Sequence, residues 1–221
     1  MESVIQRSLD LIVASLFLMI SLPILLVVAV LVKLSSPGPV FFRQARLGRG
    51  GKTFRILKFR SMITVQNGGP SVTVAGDRRI TPIGKILRRT KLDELPQLIN
   101  VVLGEMSLVG PRPEVPNYKH VYQNGFEKVL RARPGITDPV SLQLADEENF
   151  LKQFPDPLQA YEQIVLPRKL ALSLEYLQHR SVANDVQIIF LTVLAAAGLH
   201  RRPPAEFGDL APWRPAISAK A

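Results

Sequence analysis

Two adjacent carboxylates, Asp93 and Glu94, stand near the start of the stretch KLDELPQLINVVLGEMSLVGPRP, Lys91 to Pro113. A carboxylate can attack phosphorus, as in enzymes that pass through an aspartyl phosphate. A second one beside it can hold the Mg²⁺ that screens incoming phosphates. The commoner work for such a pair is structural, with Asp93 as N-cap and Glu94 as a first-turn acid answering the helix dipole. The surrounding charge argues for chemistry. From Lys33 through Lys91 the chain carries fourteen Lys or Arg residues and one acid, Asp77. Carboxylates set beside that charge stay ionised, and the same charge would draw a polyphosphate toward them. Arg112, stiffened between Pro111 and Pro113, is suited to grip a phosphate through its planar fork.

The elements that must position these groups follow from periodicity. Leu95, Leu98, Ile99 and Val102 repeat at helical spacing, and Pro96 is tolerated only in a first turn, so a short amphipathic helix begins near Asp93. Gly104 ends it, and Ser107-Leu108-Val109 reads as a short buried strand leading into Gly110-Pro111-Arg112-Pro113. Upstream, Val40-Phe41-Phe42 and Phe54 to Leu57 read as two strands of a hairpin around Gly48 to Lys52. Seven basic residues from Arg43 to Arg60 decorate it with no acid between them, which predicts a largely solvated basic surface. Thr64 to Gly76 is a polar, glycine-containing loop. Thr81 to Arg89 is a helix with Thr81 as N-cap and Pro82 at its first position. Glu114 to Arg131 is helical with an interruption near Gly125. Asp146-Glu147-Glu148 reads as a solvated acidic loop, Leu158 to Leu177 as a long helix, and Val182 to Leu199 as a buried or interfacial helix too short to span a bilayer. His120, His179 and His200 are scattered without ligand spacing. The basic, proline-rich end from 201 to 221 predicts no packed fold.

The N-terminal third sets the location. Leu11 to Val32 is almost wholly apolar, and as a continuous helix it would reach about 33 Å, enough to cross a bilayer. Its length and the lack of a small-residue cleavage site exclude a signal peptide. Ser21 and Pro23 lie near its middle, so the residues allow either a kinked span or a helix that turns back and leaves on the side it entered. Arg7 at the entry can reach lipid head groups. With 221 residues, 47% of them hydrophobic, the chain is long enough for a membrane element and one domain with a core. A net charge of +10 implies an anionic partner: nucleic acid, anionic lipid or a nucleotide-sugar. The absence of cysteine excludes disulfides and thiolate chemistry.

The central stretch, together with SPGPVFFRQARLG at 36–48 and KFRSM at 58–62, resembles the bacterial sugar transferases, the small monotopic phosphoglycosyl transferases. The likeness runs from about Arg7 to Leu199. It implies an enzyme of the bacterial inner membrane, with its catalytic domain on the cytoplasmic face, that moves a sugar-1-phosphate from a UDP-sugar to a polyprenyl (undecaprenyl) phosphate in glycoconjugate or polysaccharide biosynthesis. UMP is released, a covalent phosphosugar forms on Asp93, and Mg²⁺ is required. Asp93 would be the nucleophile, and Asp93 and Glu94 the metal ligands, Glu94 alternatively positioning the acceptor. Arg112, flanked by Pro111 and Pro113, would bind phosphate, helped by Lys58 and Arg60. The likeness also implies the re-entrant form of the membrane segment, broken at Ser21/Pro23. In Arg133-Pro134-Gly135-Ile136-Thr137, a turn shared with the family, Asp138 follows where glycine is common.

The expected fold is α/β (α+β): a re-entrant membrane helix over 1–35, a catalytic domain over 36–200 with a small sheet and surrounding helices, some amphipathic and interfacial, and a tail over 201–221. Inner-membrane lipids are expected partners, and nucleic acid is not. The competing class is a non-enzymatic basic module tethered to the membrane, binding anionic lipid or nucleic acid. The acidic pair inside the basic stretch and the stretch's few aromatics, which offer little for base stacking, argue against it.

Overall fold

In a computed structural model, which describes residues 3–63, 73, 76–123, 125–143, 147–196 and 199, the chain folds as small sheets enclosed by helices. Helix α1, Val4–Ser35, is the one described helix long and apolar enough to cross a membrane. Ser3 caps it by accepting from the Gln6 amide, while the Gln6 side chain accepts from the Ser3 amide, so two orphan donors are satisfied at once. The interruption expected at Ser21/Pro23 is not a gap. Pro23 lies inside a helix that runs on past it, and Ser21 donates to the Leu18 carbonyl 3.3 Å away. The ring removes one donor and crowds a carbonyl, which bends a helix without having to end it.

Helix α1 touches one body near both of its ends. Near its start α1 meets the globular body through Gln6, Arg7, Asp10 and the fully buried Ala14. Near its end it meets the same body through Val28 and Val32, packed on Phe59 and Leu87. Arg7, expected among lipid head groups, instead donates to the carbonyls of Val101 and Met106. Arg60 closes the other end. It is 4% exposed and donates to the carbonyls of Val32, Ser36 and Pro37, the orphan acceptors at the C-terminus of α1.

Strands β1, Phe41–Leu47, and β2, Thr53–Phe59, form the antiparallel hairpin read from the sequence, with Phe41 opposite Phe59 and Leu47 opposite Thr53. Helix α2, Pro82–Thr90, starts as expected, with Thr81 accepting from the Gly84 amide and Pro82 in the first turn. A single 3₁₀ turn, Leu92–Glu94, leads to helix α3, Gln97–Val102. Pro96 therefore caps α3, and the acidic pair sits one turn before the helix rather than inside it. Strand β3, Ser107–Val109, runs parallel to β4, Gly135–Thr137. The two lie so close that a Cβ on Gly135 would fall 2.1 Å from the Gly110 amide nitrogen, and one on Gly110 would fall 2.5 Å from the Arg133 carbonyl. Only glycine fits either position.

Among the described residues from Glu114 to Arg131 the helical elements are α4, Lys119–Tyr122, and single 3₁₀ turns. Short helices α5, Pro139–Gln143, α6, Glu147–Lys152, and α7, Pro157–Ala160, follow. A π turn over Tyr161–Val165 joins α7 to α8, Leu166–Gln178, giving the long helix that was expected with a bulge in it. Helix α9, Val182–Ala196, buries Asn184, Asp185 and Ile188 and turns Val186, Phe190 and Val193 outward. Of the expected acidic loop, Asp146 lies outside the described residues, while Glu147 and Glu148 open α6, Glu147 bonding Lys169 and Glu148 pairing with Arg88. Most of the polar loop expected over 64–76 and the tail over 201–221 lie outside the described residues.

Three buried polar groups tie α1 to this body. Asp10 accepts from the Ser107 hydroxyl at 2.5 Å and from the Leu108 amide at 3.0 Å, so the edge of β3 is fastened to the membrane helix. Arg180 donates to the Val109 carbonyl and to Asp185, and Asp185 accepts from Gln6. Arg60→Lys keeps the charge of the third tie but cannot reach three carbonyls at once. We expect it to lower stability by about 2 kcal/mol, the order of a lost charge-assisted hydrogen bond, as a shifted denaturant midpoint in detergent. An unchanged midpoint would mean that the three-carbonyl grip does not hold α1.

Candidate active site

The sharp turn between α2 and α3 presents the acidic pair. Lys91, at the end of α2, takes a left-handed conformation (φ 59°), the only described non-glycine residue with positive φ. The 3₁₀ turn then packs on β2 and puts Asp93 and Glu94 beneath the basic hairpin.

Glu94 is held by two cations from different elements. Lys58, from β2, donates to Oε1 at 2.6 Å, and Arg112, from the loop after β3, forks onto Oε1 at 2.7 Å and Oε2 at 3.5 Å. Burial alone would raise the Glu94 pKa, but Arg112 and Lys58 outweigh it and hold the carboxyl well below the usual range. Burial lowers the Lys58 pKa and Glu94 opposes that. Glu94 raises that of Arg112.

Asp93 is treated differently. It is 6% exposed, and its Oδ1 is buried without a hydrogen-bond partner. Burial raises its pKa, the neighbouring Glu94 charge raises it further, and Lys58, Lys91 and Arg88 only partly compensate. One acid of the pair is neutralised by cations; the other is left as a desolvated carboxylate with a free oxygen, the condition of a nucleophile or a metal ligand.

The oxygen donors fit Mg²⁺, a hard cation. Asp93 offers the free oxygen and Glu94 lies beside it. Among the described residues no group of three or more His, Cys, Asp or Glu forms a metal cage. Mg²⁺ commonly uses one or two carboxylates and takes its remaining ligands from water and substrate phosphates.

Of the remaining expected residues, the structure brings Pro111 and Pro113 to the site on either side of Arg112. It does not bring Arg60, whose described bonds all go to the end of α1. The guanidinium of Arg112 keeps a third of its side-chain surface exposed. With Pro111 it lines a shallow cleft walled by Leu47, Gly48, Tyr122 and Leu130.

A second charge cluster, behind the first, was missed by sequence reading. Arg46 donates to the Pro113 carbonyl at 3.0 Å and lies 4.0 Å from Glu114. Glu114 accepts from the Tyr161 hydroxyl at 2.6 Å, and Lys169 lies 3.7 Å from Glu114 and 3.1 Å from Glu147. Tyr161 opens the π turn, an irregularity that often marks functional regions. Asp138 was also missed as a partner of Arg112, although Asp-Pro ahead of a helix is the signature of an N-cap followed by a first-turn proline.

Comparison with known proteins agrees with the geometry. The family model described as bacterial sugar transferase matches residues 1–198. The chain is 41% identical over 194 residues to the UDP-glucose:undecaprenyl-phosphate glucose-1-phosphate transferase of Escherichia coli, covering 86% of this chain and 39% of that protein. It is 39% identical over 194 residues to the protein of the same name from Caulobacter vibrioides, covering 85% of this chain and 68% of the relative. The Exopolysaccharide production protein PSS of Rhizobium leguminosarum bv. phaseoli is 39% identical over 203 residues, 88% of this chain and 96% of the relative. The chain thus spans about two fifths of the Escherichia coli relative and nearly all of the Rhizobium one. With the match running through α1, the acidic pair and the Arg112 loop alike, the chain belongs to the bacterial sugar transferase family.

Proposed function

We propose that this chain transfers a sugar-1-phosphate from a UDP-sugar to a polyprenyl phosphate, in two displacements through a covalent intermediate on Asp93. The observation that carries the reading is the partnerless, buried Asp93 oxygen beside a Glu94 that already holds two cations. UDP-glucose is the donor to test first, because relatives at 39–41% identity carry it in their names.

In the first displacement an Asp93 oxygen forms a bond to the β-phosphorus of the donor, and the bond from that phosphorus to the bridging oxygen breaks. UMP leaves with the electron pair. In the second, a phosphate oxygen of the polyprenyl acceptor attacks the same phosphorus. The Asp93–phosphorus bond breaks, returning the carboxylate and releasing a polyprenyl diphosphosugar. Arg112 and Lys58, moving from Glu94 to phosphate oxygens, would bind the charge that builds up during each attack. Mg²⁺ held by Asp93 and Glu94 would supply Lewis-acid screening of the diphosphate. Burial makes Asp93 a more basic and less hydrated nucleophile than a surface aspartate.

The same reading puts the catalytic domain on the cytoplasmic face of the inner membrane and makes α1 re-entrant. The support is that contacts at Asp10 and Ala14 and contacts at Val28 and Val32 all go to one body. Asp10 and Val32 lie about 33 Å apart along a continuous helix, so a straight span would carry those two contacts to opposite sides of a bilayer about 30 Å thick.

Three outcomes are expected. Asp93→Asn should abolish UMP release from UDP-sugars in the presence of polyprenyl phosphate. Because burial raises the Asp93 pKa, the folded protein binds that proton more tightly than the unfolded chain does. Protonated Asp93 therefore contributes stability that is fully present below the unfolded pKa and lost as pH rises through the folded one. The Asn variant should consequently unfold no earlier than the wild type at neutral pH; residual turnover in a folded Asn variant would remove Asp93 as nucleophile. Arg112→Lys should lose about 1–3 kcal/mol of transition-state binding, because a point charge cannot reproduce the fork. Kinetics unchanged from wild type would reduce Arg112 to diffuse charge. A cysteine introduced as Ser3→Cys, the only thiol in the chain, should resist a membrane-impermeant thiol reagent applied from the periplasmic side of spheroplasts. Labelling there would mean that α1 spans.

A further inference from the structure

The tripeptide that carries Arg112 has an unusual hydrogen-bonding inventory. Proline has no amide proton, so Pro111-Arg112-Pro113 contains one backbone N–H, that of Arg112. That proton is donated to Oδ2 of Asp138, 3.0 Å away. The other carboxylate oxygen of Asp138 accepts from the Ser141 amide, capping α5. Asp138 is 2% exposed, and no described contact offers the Arg112 amide a second partner.

The topology explains the reach. β3 and β4 are parallel and in register, Val109 opposite Thr137, so both chains leave the ladder at the same end. One continues into Gly110-Pro111-Arg112, the other into Asp138. The Gly110 amide bonds the Thr137 carbonyl and the Gly135 amide bonds the Pro111 carbonyl, which sets the two segments side by side. Arg46 holds the far end of the tripeptide through the Pro113 carbonyl. Between these two carbonyl ties, Asp138 alone fixes the residue whose guanidinium bridges to Glu94.

We propose that Asp138 is a positioning residue for Arg112: it fixes the backbone from which the guanidinium reaches Glu94 and, in turnover, the donor phosphates. A glycine at position 138 would have no side chain to accept from the Arg112 amide. Helix α5 is thereby coupled to the phosphate grip, since one carboxylate serves both. Asn retains an acceptor for one of these amides and caps nearly as well as Asp; Ala retains none.

Two measurements on the detergent-solubilised full chain test this. The first does not depend on the reading under "Proposed function". In hydrogen exchange, a proteolytic fragment isolating Pro111-Arg112-Pro113 reports a single amide. It should be protected in the wild type and exchange at least tenfold faster in Asp138→Ala and in Asp138→Asn, whose one acceptor oxygen is taken by the α5 cap. Equal exchange in the wild type and the Ala variant would overturn the proposal. The second rests on that reading and uses UMP release from UDP-glucose. Asp138→Ala should lower kcat/KM at least tenfold in the wild-type background and less than twofold in an Arg112→Lys background, and Asp138→Asn, which keeps only the cap, should lose activity as Asp138→Ala does. An equal loss in both backgrounds means that Asp138 acts on the fold and not through Arg112. If the Ala variant does not fold, Asp138→Ser, which can cap α5 but offers a single oxygen, takes its place in both measurements. A wild type that releases no UMP from any UDP-sugar defeats the transferase reading, and the exchange measurement still decides the role of Asp138.

Discussion

Two neighbouring carboxylates cannot both be buried and ionised unless something else carries opposite charge into the same space. In this protein the solution is asymmetric: Lys58 and Arg112 both go to Glu94, and Asp93 Oδ1 receives no partner. The rest of the architecture serves that asymmetry. The hairpin exists to bring Lys58 across from the 3₁₀ turn, and the tight β3–β4 pairing, with Gly110 against Gly135, aims the Arg112 loop at the same point. Removing either cation would leave a buried acid uncompensated. Removing the acid would leave two buried cations facing each other.

The membrane helix is part of the same construction. Asp10 ties α1 to the strand that precedes Arg112, Arg7 ties it to the end of α3, and Arg60 closes its C-terminus from the end of β2. Every element that carries a site residue therefore touches α1 or a strand bonded to it. A change in how α1 sits in lipid would be transmitted to the site through these polar ties, because packed, hydrogen-bonded interiors yield little.

The candidate site was legible in the sequence where residue type and local context suffice. An acidic pair surrounded by basic residues, and an arginine locked between two prolines, are unusual enough to be read directly. The hairpin, α2 with its Thr81 cap and β3 followed from periodicity and turn residues in the same way. What was not legible depends on distant partners. Arg60 and Lys58 are two residues apart and equally basic, and in a continued strand they would share a face. Yet β2 ends at Phe59, so Arg60 turns to a helix end while Lys58 meets Glu94. Glu147 and Glu148 read as solvated acids because nothing local reveals that Lys169 and Arg88 lie opposite. Asp138 could be recognised as a cap for α5, but not as the partner of Arg112, which is 26 residues away. Pro23 signalled a bend; that the helix continues through it depends on how both halves pack against the body.

The central claim is that the unpartnered carboxylate of Asp93 becomes covalently attached to the sugar phosphate. Its most direct test is mass spectrometry of the protein quenched in acid after brief mixing with UDP-glucose and Mg²⁺ in the absence of acceptor. The account predicts one hexose phosphate added per chain, located on the peptide that contains Asp93 and lost when polyprenyl phosphate is supplied before the quench. Steady release of UMP with acceptor present, but no adduct at any mixing time, would contradict it and point to direct transfer between the two substrates.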